Sequence, residues 1–152
     1  MSGKGLKTLG EYWGAVWLPV VLTVAWIFLM AVLLRQFANY EGEIKTAAWV
    51  VWYVVPLYVG WRVASTYRGT VLKGALAGGL YGLVAAALYY GLALASSALG
   101  LFGTPIEWAF INAWELAQNI GVQVGMSAVR SAAITAAATL LGLFVITVKE
   151  AE

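Results

Sequence analysis

The chain has 152 residues, 62% of them hydrophobic and 11% charged, with a net charge of +2 and a mean hydropathy of +0.84. A soluble domain is about a quarter charged, and apolar runs of about 20 residues need lipid around them rather than water. There is no Cys and no His, and all seven acids are Glu, which excludes a thiolate nucleophile, a disulfide, a His–carboxylate catalytic pair and the usual zinc, copper or haem sites.

Lys4 and Lys7 precede the first apolar run, as they would in a secretory signal. The run from Trp13 to Leu34 is too long for a signal's apolar core, however. Arg35-Gln36 follows it where a cleavable signal would show small residues, so it reads as a retained span. The first span is expected over about 12–34, with Pro19 near its start, where a helix tolerates proline best. Residues 35–43 are polar enough for a turn, and Gly42 supplies a break. A second span over about 45–64 contains Pro56, which predicts a kink and a freed carbonyl in need of another donor. A short basic loop follows, with Arg62, Arg68 and Lys73 around it. The third span, over about 70–101, exceeds a hydrocarbon core of about 30 Å and so should tilt or protrude.

Gly103 ends that span, and Thr104-Pro105-Ile106-Glu107 reads as a capping box with Thr104 at the cap, Pro105 at the first helical position and Glu107 at the third. The helix it opens, over about 105–119, places Ile106, Phe110, Trp114 and Ala117 on one face. That pattern predicts a short amphipathic helix lying at the membrane interface. A last span over about 125–148 ends in Lys149-Glu150-Ala151-Glu152. The expected fold is an all-α integral membrane protein, a four-transmembrane-helix bundle in one domain with the interfacial helix before the last span.

Loop charges set the expected orientation. Lys4 and Lys7 outweigh Glu11, the second loop has Arg62, Arg68 and Lys73 without an acid, and the third loop has Glu107 and Glu115 without a base until Arg130. The positive-inside rule then puts both termini and the second loop in the cytoplasm, as expected of a multi-pass protein of the cell membrane. Aromatic belts give the same topology, with Tyr12, Trp13, Trp17, Trp61 and Tyr67 at one surface and Tyr40, Trp49, Trp52 and Trp108 at the other.

Two constellations stand out. Gly74, Gly78 and Gly82 recur every four residues in the third span, and Ser127, Ser131 and Thr135 answer them in the last. Small residues so spaced let helices approach closely, either within the chain or between copies. The second constellation centres on Arg130, a charge about a turn inside the last span, which should snorkel or find an acid. Glu115 is the expected partner if the helix beginning at Pro105 folds back. Gln118 and Gln123 would complete a polar substrate, headgroup or partner contact.

No metal cluster, cofactor motif, phosphate loop or nucleic-acid patch is present in the pattern. The leading functional expectation is a non-catalytic small subunit packed within a larger membrane complex. A homo-oligomeric channel or carrier joined through the glycine-rich span is one alternative. A lipid- or quinone-binding membrane protein, suggested by the aromatic first two spans, is another. The expected partners are membrane lipids together with other membrane subunits or copies of the chain itself.

Overall fold

The computed structural model describes residues 6–99 and 113–151. Among them are four long helices, α1 (Leu9–Gln36), α2 (Glu41–Ser65), α3 (Val71–Leu99) and α4 (Ala113–Ala151), and no strand. Each helix is long and apolar enough to cross a membrane. Their outward surfaces are apolar too: Leu22 and Phe28 on α1, Val54 and Leu57 on α2, Leu76 and Leu83 on α3, and Leu141 and Phe144 on α4 are all exposed. Such a surface would aggregate in water and costs nothing in hydrocarbon. The chain is thus an all-helical, multi-pass membrane protein.

The helix ends explain the boundaries. The first helix starts on a capping box that the sequence reading passed over, although Thr8-x-x-Glu11 has the required spacing. Glu11 Oε2 accepts from the Thr8 backbone at 2.8 Å, and Thr8 Oγ1 accepts from the Glu11 backbone at 3.4 Å. Between α1 and α2 lies a single 3-10 turn at Ala38–Tyr40. Gly42, expected as the break, sits in the first turn of α2 instead, where its carbonyl accepts from Thr46 Oγ1 at 2.9 Å. The turn from α2 to α3 passes through Arg68 at φ 46°, a left-handed conformation uncommon for a residue with a Cβ. The next amide, from Gly69, donates to the Val63 carbonyl at 3.0 Å.

Arg68 Nη1 also pairs with Glu150 Oε1 at 2.8 Å, which holds the α2–α3 turn against the C-terminal end of α4. Arg62 Nη1 reaches the Ala15 carbonyl in the early turns of α1 at 3.5 Å. The start of α1, the α2–α3 turn and the end of α4 therefore share one end of the molecule, and the α1–α2 turn lies at the other.

Helix α4 packs on α2 and α3, and α1 packs on the same two helices from the opposite side; α1 and α4 make no close backbone approach among the described residues. The core between them is small, with Val16 and Val20, Val59 and Val63, and Tyr81 and Ala85 among its buried residues. Tyr81 is fully buried, and its hydroxyl shares a 2.7 Å hydrogen bond with Thr23 Oγ1, tying α3 to α1.

The last helix differs from expectation in its extent. It runs unbroken from Ala113 to Ala151, so residues 113–119 are its first turns and not the end of a separate helix. Nothing between residues 119 and 125 breaks it, because Gly121 and Gly125 cost helix stability only modestly (about 1 kcal/mol each relative to Ala) and neither is followed by a proline. Lys4, the Thr104-Pro105-Ile106-Glu107 motif, Trp108 and Phe110 lie outside the described residues. At about 1.5 Å per residue, α4 spans about 58 Å, well beyond one hydrocarbon thickness.

Candidate functional site: a close helix seam opening into an arginine cavity

The site is built on two facing stripes with a four-residue step. On α3 the stripe reads Gly74, Gly78, Gly82, Ala86, Tyr90; on α4 it reads Thr139, Thr135, Ser131, Ser127, Gln123. Gly74 takes the Thr139 side chain directly against its backbone, and at Gly78 and Gly82 the backbone of α4 itself comes close. A Cβ added at Gly78 would lie 2.5 Å from the Ser131 carbonyl oxygen, and one added at Gly82 would lie 2.5 Å from that of Ser127. Gly74, Gly78 and Gly82 thus lie against Ser127, Ser131, Thr135 and Thr139, between helices of the same chain. Because α4 already covers the glycine stripe, a second copy would have to displace α4 to reach it.

Two seam residues were not foreseen. Thr139 continues the hydroxyl stripe by one more step, a spacing already visible in the sequence. Gly60 on α2 brings α4 equally close on its other side, since an added Cβ would meet the Thr135 carbonyl oxygen at 2.5 Å. That approach lets Thr135 Oγ1 donate to the Pro56 carbonyl at 3.1 Å and puts Thr139 Oγ1 within 3.2 Å of the Gly60 carbonyl. Side-chain donors from α4 thus bond the backbone of the proline-containing part of α2, and α2 stays one helix through Pro56.

Where the glycines stop, the stripes part into a half-open cavity of about 240 Å³. Ile27 of α1 and Ala48, Trp49 and Trp52 of α2 form one side. Ala86, Tyr89 and Tyr90 of α3 form the second, and Gln123, Met126, Ser127 and Arg130 of α4 the third. The aromatic rings brace one another: Trp52 meets Tyr89 edge-on with centroids 6.1 Å apart, and Tyr89 meets Tyr90 at 5.1 Å. Trp26 Nε1 donates to the Ala47 carbonyl at 3.0 Å, which fixes α1 against α2 beside the cavity.

Arg130 lies between two rings, its guanidinium carbon 5.3 Å from the Tyr53 centroid and 6.0 Å from that of Trp52. Stacking of this kind suits a planar, weakly hydrated cation and is worth about 0.5–2 kcal/mol per ring. Its Nε is nevertheless buried without a hydrogen-bond partner, and so are the hydroxyls of Ser127 and Ser131. Buried donors without partners are rare because each costs about 1–3 kcal/mol.

Of the three residues expected around Arg130, Gln123 joins it at the cavity. Gln123, Ser127 and Arg130 follow one another at four and three residues, which puts them on one helix face. Glu115 and Gln118 do not join them. On an unbroken helix Glu115 is fifteen residues from Arg130, about 22 Å along the axis, and Gln118 is about 18 Å away. The fold-back that would have paired Glu115 with Arg130 needs a break that α4 does not have. The residues that take Arg130 instead, Trp52 and Tyr53 on α2, were visible as aromatic spans, but their register against α4 was not.

Compared with protein families, with curated proteins and with solved structures, the chain matches none.

Proposed function

We propose that this chain is a non-catalytic, ligand-binding protein of the cell membrane that holds one end of an amphiphilic molecule in the Trp52–Tyr89–Arg130 cavity. The observation that carries this reading is the pair of unpartnered buried donors, Arg130 Nε and Ser127 Oγ, on one wall of an otherwise aromatic cavity. An apolar chamber with a few convergent polar groups is the usual form of a ligand site. At about 240 Å³ it is smaller than the roughly 300–1,000 Å³ of sites that enclose a whole ligand. It therefore takes a head or ring, and the ligand's apolar body stays outside against the exposed faces of the helices.

With both termini in the cytoplasm, as the basic second loop favours, the cavity lies toward the opposite face of the membrane. The N-terminal turns of α4, with exposed Trp114, then extend through that interface. Membership of a larger complex would ask a foreign chain to cover the exposed apolar surface, which lipid covers equally well. The cavity gives ligand binding a specific address that the subunit reading lacks.

The test is native mass spectrometry of the 16.3 kDa chain extracted in mild detergent, together with Met126→Trp and Ala48→Trp, which narrow the cavity from two sides. One amphiphile retained at one-to-one stoichiometry by the wild type, and lost from both variants, supports the reading. A wild type without an adduct, or adducts carried equally by the variants, overturns it.

A further inference from the structure

We infer that the cavity selects an oxyanion head, a phosphate or similar group on an amphiphile, and that Arg130 and Ser127 are the residues that grip it. This rests on the ligand-binding reading above and narrows it to a class of ligand.

Charge makes the first argument. Among the described residues, Arg130 is the only ionised side chain lining the cavity, and no carboxylate lines it. Glu115, the acid expected to pair with it, is about 22 Å away along the same helix. Aromatic rings stabilise a guanidinium but do not neutralise it, and an uncompensated charge in low dielectric is costly. A neutral quinone would offer carbonyl acceptors and still leave the site with its full positive charge. An oxyanion supplies both the acceptors and the counter-charge.

Hydrogen-bonding capacity makes the second. Arg Nε–H is a donor without acceptor capacity, and here it is buried without a partner, as is the hydroxyl of Ser127, which is only 6% exposed. Gln123, Tyr89, Tyr90, Trp49 and Trp52 add further N–H and O–H donors to the lining. A guanidinium fork beside a hydroxyl matches the geometry of a tetrahedral or planar oxyanion.

Depth makes the third. Glu150, exposed and paired with Arg68, marks one end of the spanning region. Arg130 lies twenty residues away on the same unbroken helix, about 30 Å, which is the thickness of a hydrocarbon core. The guanidinium therefore sits at the level of the opposite headgroup layer. A phosphate esterified to alkyl chains would meet it there with its chains running back along the lipid-facing surface.

The experiment titrates the full chain, in a neutral detergent, with four probes of matched alkyl length or head. These are dihexyl phosphate, the uncharged trihexyl phosphate, an uncharged dihexyl ether and inorganic phosphate, with binding read by native mass spectrometry and by the shift in thermal midpoint. Dihexyl phosphate is expected to bind and to raise the midpoint, while the two uncharged probes bind at least about tenfold more weakly. Arg130→Gln should weaken dihexyl phosphate by about 10- to 100-fold, as expected for loss of a hydrogen-bonded charge. Arg130→Lys should restore part of that loss, and Ser127→Ala should cost a smaller factor of about 3–10, each in a chain whose helix content is unchanged.

If inorganic phosphate binds as tightly as the diester, the oxyanion comes from solution; if only the diester binds, it comes from a lipid. Both results support the oxyanion assignment. Equal binding of the charged and uncharged esters, or full binding by both Arg130→Gln and Ser127→Ala, overturns it while leaving amphiphile binding intact. Failure of every probe to bind overturns both readings. Should Arg130→Gln not fold, Arg130→Lys and Ser127→Ala carry the comparison.

Discussion

The same two stripes, read from one end of α3 to the other, make a closed seam and then an open cavity. At Gly74, Gly78 and Gly82 only the small side chains of Thr139, Thr135 and Ser131 lie against the glycines, while Thr135 gives its hydroxyl to the Pro56 carbonyl of α2 and that of Thr139 lies between the Gly60 and Thr135 carbonyls. Two steps further along, the α3 position is Tyr90 and the α4 position is Gln123, both lining empty space. The hydroxyls follow the same gradient. Those deep in the seam are satisfied, whereas Ser131 at its edge and Ser127 at the cavity wall are not. In lipid no hydrophobic force drives helices together, so close packing and satisfied hydrogen bonds must hold the seam. The cavity has neither, and it is the region with donors to spare for a ligand.

The sharpest way to break this comparison is a bulky side chain in the closed region. Gly78→Leu directs its Cβ at the Ser131 carbonyl, and backbone in a rigid helix cannot retreat. Overpacking typically costs about 1–3 kcal/mol, and a clash with backbone lies at or above the top of that range. The expected result is a large fall in the unfolding midpoint, measured by circular dichroism in detergent, or no recoverable folded protein. Gly91→Leu serves as the control on the same helix, since an added Cβ there meets nothing within 4 Å. Its stability should stay at or above that of wild type, by up to about 1 kcal/mol, because leucine suits a helix interior better than glycine. Equal damage from both would mean that the seam is no tighter than an open helix face.

Much of this was legible in the sequence, for definite physical reasons. Four apolar runs, their order and the glycine stripe are one-dimensional patterns, and the stripe's partners on α4 share its spacing. The cavity was legible only in part. Arg130 and Gln123 could be picked out because a charge in an apolar span needs an explanation. Pairing Arg130 with Glu115 assumed a break near residue 120, and two isolated glycines did not supply one. That Trp52 and Tyr53 face Arg130 depends on the relative rotation and height of α2 and α4, which Gly60 sets by close approach. Neither quantity leaves a periodic trace in a single sequence. Tyr81 was missed for a similar reason: one tyrosine among eight looks like another belt residue until its hydroxyl is found on Thr23.

A second, smaller effect sharpens the contrast in hydroxyl satisfaction. The double variant Thr135→Val, Thr139→Val keeps side-chain shape and removes both hydroxyls that approach α2 carbonyls. Interhelical hydrogen bonds in membrane proteins average about 0.6 kcal/mol and reach about 1.7. The pair should therefore cost about 1–3 kcal/mol, read from the same unfolding curves. A variant as stable as wild type would show that packing alone holds α4 to α2. Tyr81→Phe, which leaves Thr23 Oγ1 without its partner, should cost about 1 kcal/mol by the same measurement.

The smallest expected effect belongs to Ser127→Ala, and its smallness is the point. Ser127 lies on the same stripe as Thr135 and is nearly as buried, at 6% against 0% exposed. Burial alone would predict similar costs for losing either hydroxyl. The structure predicts otherwise, because Ser127 Oγ has no partner to lose and its desolvation is uncompensated in the folded protein without ligand. Replacing it with alanine should leave stability unchanged to within about 0.5 kcal/mol, or raise it slightly. With dihexyl phosphate at saturation the order should reverse. Ligand stabilises by mass action, about 2.7 kcal/mol at a hundred times the dissociation constant. A weaker-binding Ser127→Ala chain would then fall below wild type at equal ligand concentration. A cost of more than about 1 kcal/mol without ligand would place a satisfied hydroxyl at the cavity wall and remove the distinction between the two ends of the stripe.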